Sequence, residues 1–201
     1  MQLSLSRIVN DFAICLKRAD DRHPQAINIR SKECFQEGIG PHSEGQTVEL
    51  VAKEFRLLAP ELYNDFLVTG VPYPDFPRQK CDLCIGTQHE WQWAIEVKML
   101  RMLGDNGKLN DNILMHILSP YPEHRSALTD CVKLAQSQLA ARKAILIYGY
   151  EHQDWPLELG ISAFESLATT KVSIGSRQVA YFDGLIHPIH SSGAVFGWEI
   201  Q

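Results

Sequence analysis

Apolar residues recur near the start of the chain at three- and four-residue steps. Leu5, Ile8, Val9, Phe12 and Leu16 form this series, and their spacing predicts a helix over residues 3–18. The pattern lapses over 19–43, a polar stretch with Pro24, Gly38, Gly40 and Pro41 that reads as loop. A second helix is predicted over 44–58. Val48, Val51, Phe55 and Leu58 make its stripe, and Pro60 follows its end. The period then shortens to two. Residues 66–71, 80–86 and 91–100 read as strands, the last two joined by a turn through 87–90.

Residues 101–125 hold Gly104-Asp105-Asn106-Gly107, Ser119-Pro120-Tyr121-Pro122 and scattered charges. They read as a long excursion, and such excursions often carry function. A helix is predicted over 126–141 with Leu128, Cys131, Val132, Ala135 and Leu139 on one face. A buried strand at 143–150, a helix at 157–168 and two closing strands within 179–188 and 193–200 complete the chain. This order predicts one mixed α/β domain. It divides into an N-terminal helix and loop extension (1–43), a core (44–150) and a C-terminal helix with strands (151–201).

The 201 residues suffice for one full core, and 45% hydrophobic with 21% charged residues is ordinary globular composition. The net charge of -5 gives no global basic signature, though a local basic groove in an acidic chain can still steer a polyanion. No apolar run approaches the roughly 20 residues of a membrane span. Arg7, Asn10 and Asp11 interrupt the first helix, unlike the core of a secretory signal. Five cysteines, an odd number, read as unpaired thiols in a reducing cytoplasm.

Asp82 precedes Glu96-Val97-Lys98 by thirteen intervening residues. Strand alternation puts Glu96 and Lys98 on one face, with Trp91, Trp93, Ile95, Val97 and Met99 on the other. The same alternation sets Cys81, Leu83 and Ile85 opposite Asp82, which a hairpin brings beside Glu96. Two such carboxylates repel unless a cation lies between them, and oxygen donors suit Mg2+ or Mn2+. A lysine two residues from a ligand can hold water or neutralise developing charge. A solvent-facing ion-pair strand carries the same local pattern. Glu44 lies four residues before Val48 and seven before Val51, so it points along the apolar stripe, whereas Glu49 lies off it. An acid in the first turn facing the helix macrodipole would also place Glu44 there.

Glu44, Asp82 and Glu96-Val97-Lys98, in the order helix, strands, helix, strand, resemble the PD-(D/E)xK nuclease superfamily over residues 44–150. The resemblance implies a restriction-endonuclease-like three-layer core, a mixed central sheet flanked by helices. It implies that Glu44, Asp82 and Glu96 bind Mg2+ or Mn2+, that these three with Lys98 are catalytic, and that the substrate is nucleic acid, usually DNA. Restriction, defence or repair would be the setting, and a homodimer would serve double-strand cleavage. A literal Pro74-Asp75 also occurs, but Pro74 and Pro77 make that stretch a poor strand, so Asp82 is preferred. Arg101 and Lys133 are candidate nucleic-acid contacts. The alternative is a non-catalytic module of the same fold that binds nucleic acid or protein.

Cys81-x-x-Cys84 lacks the further ligands of a zinc knuckle, and alternation points its thiols to opposite faces. His187-Pro-Ile-His190 reads as a strand end or turn, and Gly104–Lys108 as a tight turn rather than a phosphate loop.

Overall fold

Helix α1 (Leu5–Asp20) starts at Ser4, whose hydroxyl accepts the Arg7 N–H at 3.2 Å. Its buried face carries all five residues of the predicted stripe. Helix α2 (Glu44–Leu58) opens with a capping box between Ser43 and Gln46, which satisfies otherwise orphaned N–H groups. The computed structural model describes residues 3–28, 32–76, 78–87, 90–111 and 113–201. Pro77, and Gln88 and His89 of the expected turn, lie outside these.

A short α3 (Pro60–Tyr63) leads into strands β1 (Leu67–Pro72), β2 (Lys80–Thr87) and β3 (Glu90–Leu100). Helix α4 (Ile113–Leu118), a 3-10 turn (Pro122–His124) and α5 (Ala127–Gln136) precede β4 (Arg142–Tyr150). Helix α6 (Leu157–Ala168), β5 (Gln178–Phe182) and β6 (Gly193–Ile200) follow. The excursion at 101–125 therefore contains α4, which its punctuated sequence conceals. Helix α5 stops short of 141 because Ser137 turns to extended backbone (φ -77°, ψ 145°). The turn at Gly104–Lys108 is present, closed by the Gly104 N–H donating to the Lys108 carbonyl at 2.8 Å.

The six strands lie in the order β1-β2-β3-β4-β6-β5, antiparallel except for β3 beside β4. Helices α1 and α2 cover one face, over Leu83, Ile85, Trp93, Ile95 and Val97. Residues of α4, α5 and α6 cover the other, over Cys84, Ala94, Ile145 and Ile147. No helix among the described residues is long and apolar enough to cross a membrane.

Simple alternation fails at two places. Ile85 pairs with Trp93 but Gly86 pairs with Trp91, so Gln92 is an extra residue in β3. This bulge sends Trp91 to the α5 side, away from the face of Trp93. The second place is Gly70, which stands between the pairs Thr69–Leu83 and Val71–Cys81 at φ +67°. Leu67 and Leu83 face α1 and α2, whereas Val71 and Cys81 face the other layer. Cys81 therefore shares the face of Cys84 instead of opposing it. Both thiols are buried; Cys81 donates to the Ile95 carbonyl at 3.3 Å, and burial pushes its pKa up. A buried thiol held protonated in this way packs as a small apolar group.

Candidate functional site

Regular pairing of β2 with β3 begins at Leu83–Ile95 and runs away from Asp82, while β3 continues along β4 to Leu100–Gly149. Beyond Leu83 the two strands part, and a cleft opens. Val97 and Met99, two residues apart, direct their N–H groups to the side that β2 has left. Carboxylates take both. Asp82 Oδ2 accepts the Val97 N–H at 2.8 Å, and Glu44 Oε2 accepts the Met99 N–H at 2.8 Å. Glu44 arrives from the first turn of α2 and reaches Lys98 as well, Oε1 to Nζ 3.3 Å. Glu49 is exposed, as its phase on the helix requires.

Alternation along β3 sends Glu96 and Lys98 towards α5, and α5 answers with Asp130 and Lys133. Lys98 Nζ lies 2.9 Å from Asp130 Oδ2. Lys133 Nζ bridges Asp130 Oδ1 at 2.7 Å and Glu96 Oε1 at 2.8 Å. Tyr73, buried just past β1, donates its hydroxyl to the same Glu96 oxygen at 2.5 Å. The four acids Glu44, Asp82, Glu96 and Asp130, with Lys98 and Lys133, line a cleft of about 490 Å³ together with Arg78, Lys80, His116 and Arg125. Among the described residues, the side chains of Arg78, Lys80 and Arg125 make no hydrogen bond or ion pair, so these cations are available to a ligand.

The electrostatics follow from burial. Burial, with Asp130 and Asp82 adding like charge, raises Glu96 well above the usual carboxylate range against the pull of Lys133. Burial raises Glu44 too; Lys98 opposes this and Asp82 adds to it. For Lys98, burial would lower the pKa, but Asp130, Glu44 and Asp82 outweigh it and hold the ammonium charged. Glu96 and Asp130 do the same for Lys133. Burial first, then Cys81 and Glu96, raises Tyr73, so it remains a phenol that can donate.

The structure thus brings Glu44, Asp82, Glu96, Lys98 and Lys133 to one cleft. Arg101 is placed elsewhere: it donates to the Gly40 carbonyl at 2.6 Å and lies 3.6 Å from Asp105. Asp75 is exposed in the β1–β2 connection. Asp130 is the carboxylate that strand reasoning misses. It shares the buried face of α5 with Ala127, Cys131 and Leu134, the same signal that marks Glu44. Tyr73 has no such signal, because the path of the chain out of β1 sets its position.

Among the described residues, no group of three or more His, Cys, Asp or Glu side chains is arranged to hold a metal ion. Two ammoniums lie between the four acids. The acids nevertheless exceed the lysines by two, and neither Asp82 Oδ1 nor Glu96 Oε2 has a hydrogen bond among the described residues. Mg2+ commonly takes one or two carboxylates and completes its shell with water and phosphate, so these two oxygens are donors of the kind such an ion uses.

A separate polar cluster lies at the ends of β4 and β6. His187 and His190 are fully buried and stacked, centroids 4.7 Å apart at 18°. Asp105 lies 3.2 Å from His190 Nε2, and Tyr150 packs 4.7 Å from the His190 ring. Among the described residues, neither ring nitrogen of His187 has a hydrogen-bond partner. The expectation of a turn at His187–His190 holds, with the His190 N–H donating to the His187 carbonyl at 3.1 Å.

No protein-family model, curated protein or solved structure matches the chain.

Proposed function

We propose that this chain is a divalent-metal-dependent nuclease of the restriction-endonuclease-like kind, hydrolysing phosphodiester bonds in nucleic acid, DNA foremost. The observation that carries this reading is the meeting of Asp82, Glu96 and Lys98 in one cleft where two strands part. Asp82 and Glu96, flanked by Glu44, would hold Mg2+ or Mn2+, which when bound supplies charge neutralisation at phosphoryl oxygens and an acidified water.

The remaining work falls to the chain's own groups. Lys98, fixed between Glu44 and Asp130, presents an ammonium that stabilises charge developing on the phosphoryl group. Its reinforced charge makes it an electrostatic group rather than a base. Lys133 and Tyr73 fix Glu96 through one oxygen and leave the other without a hydrogen bond among the described residues. The cations Arg78, Lys80 and Arg125 of the cleft suit phosphates on either side of the scissile bond. Two copies in a homodimer would cut both strands of a duplex; light scattering in solution measures whether they form.

The test is cleavage of plasmid and of single strands with Mg2+ or Mn2+ against a chelator control. Cutting that persists in chelator, or in Glu96→Ala protein, rules the reading out. One observation favours a second reading, a binding module without catalysis: Lys98 and Lys133 already neutralise part of the acid cluster. That reading expects calorimetry to show no divalent-cation binding.

A further inference from the structure

Beside the acid cleft lies a second cavity of about 370 Å³, a size typical of small-molecule sites. Phe76, Pro120 and Pro122 give it apolar walls with Leu128 and Val132 of α5, and polar side chains, Lys171 among them, line the rest. It adjoins the cleft, since Gln79, Arg125, Asp130 and Lys133 line both. Arg125 stands at the seam in the left-handed region, φ 47°, a strained conformation for a side chain of this size.

We infer that this cavity receives one base of the substrate strand, turned out of its stack, while the adjoining phosphate lies at Arg125. The inference rests on the nuclease reading of the neighbouring cleft and narrows it to strands that are single or locally unpaired. Three features select a base as the occupant. The cavity shares four lining residues with the proposed phosphodiester site, which suits a group joined to a phosphate held there. Phe76 is 37% exposed and offers an aromatic ring where a base can stack. Gln79, Thr129 and Gln136 supply amide and hydroxyl groups that can meet the polar edges of a base between apolar walls. A base held in a paired stack cannot enter such a recess without leaving its partner, a cost that is least where it has none.

The test uses a single-stranded oligodeoxynucleotide carrying 2-aminopurine and phosphorothioate linkages that resist cutting, in Mg2+. Unstacking raises 2-aminopurine emission. Emission should rise on binding, and cleavage of the normally linked strand should exceed that of a fully paired duplex. Val132→Trp, which fills the cavity, and Phe76→Ala, which removes an exposed ring, should abolish the rise and lower single-strand cleavage by about tenfold or more. Both should keep wild-type Mg2+ affinity and circular dichroism. Emission equal to that of the free strand, or wild-type unstacking and cleavage in Val132→Trp, overturns the inference. Metal-dependent cutting without unstacking would remove this inference and leave the nuclease reading intact. Unstacking of a bound strand that is never cut would do the reverse. No binding of any strand removes both.

Discussion

Lys98 Nζ lies 2.9 Å from Asp130 Oδ2, with the two side chains only 9% and 6% exposed. The other oxygen of Asp130 holds Lys133, so one carboxylate positions both ammoniums. Asp130→Asn should leave two buried cations short of their shared counter-charge and destabilise the fold by on the order of 3 kcal/mol. Cleavage should fall even under conditions where the variant is fully folded. Chemical denaturation and an assay well below the melting temperature measure the two effects. Wild-type values in both would remove Asp130 from the network.

The two roles of Asp82 can be separated. Its Oδ2 satisfies the Val97 N–H, while its charge is assigned to the cation. Asp82→Asn retains an acceptor for Val97 and should keep near-native stability while losing Mg2+ binding in calorimetry. Asp82→Ala should lose binding and also about 1–2 kcal/mol of stability, the cost of an orphaned N–H. Equal stability of the two variants would show that the hydrogen bond contributes nothing.

Binding to nucleic acid should weaken steeply with salt despite the acidic chain. Replacing Arg78, Lys80 or Arg125 with Gln should each lower the slope of log K against log salt by about 0.7–0.9. Arg101→Gln should leave that slope alone and reduce stability instead, because Arg101 serves Gly40 and Asp105. Filter binding across a salt series, with melting curves for each variant, decides this. A slope change confined to Arg101→Gln would reverse the assignment.

The buried histidines predict acid sensitivity. Burial lowers the pKa of His42, and burial together with His190 lowers those of His152 and His187. Asp105, Asp20 and Arg101 also act on His187, the acids raising it and the arginine lowering it, and the net shift is downward. The unfolded chain takes up these protons near pH 6.5 and the folded chain only below that, so stability is held above that pH and declines as the pH falls through it. His187→Phe keeps a ring against His190 and removes two unpartnered buried nitrogens. Its urea midpoint should vary less than that of wild type between about pH 8 and about pH 5. A midpoint flat with pH in the wild-type protein would contradict the burial argument.

Much of this architecture is legible from periodicity. Helix α2 shows its stripe in Val48, Val51 and Phe55 and its end before Pro60, and β3 declares itself by aromatic and branched residues. Pairing on one face likewise follows for Glu96 and Lys98. What alternation cannot supply is the effect of single irregular residues. Gly70 at φ +67° and the extra Gln92 each exchange faces for the residues beyond them, which moves Cys81 and Trp91. Arg101 follows the Glu-x-Lys strand closely enough to suggest a phosphate contact, but its partner Gly40 comes from a loop distant in the chain. Asp130 carries the signal of a polar residue on a buried helical stripe, and only the packing of α5 against β3 shows which lysines it meets.

The separation of β2 from β3 bears on how the cleft stays open. Two successive free N–H groups on a strand edge invite another segment to zip onto them and extend the sheet. Val97 and Met99 would form such an edge, but the carboxylates of Asp82 and Glu44 occupy both positions. The acids thereby act as wedges as well as charges. Removing both would expose a length of bare strand in the middle of the molecule. The concavity that defines the site is in this sense a seam left unsewn, and two of the acids assigned to chemistry keep it so.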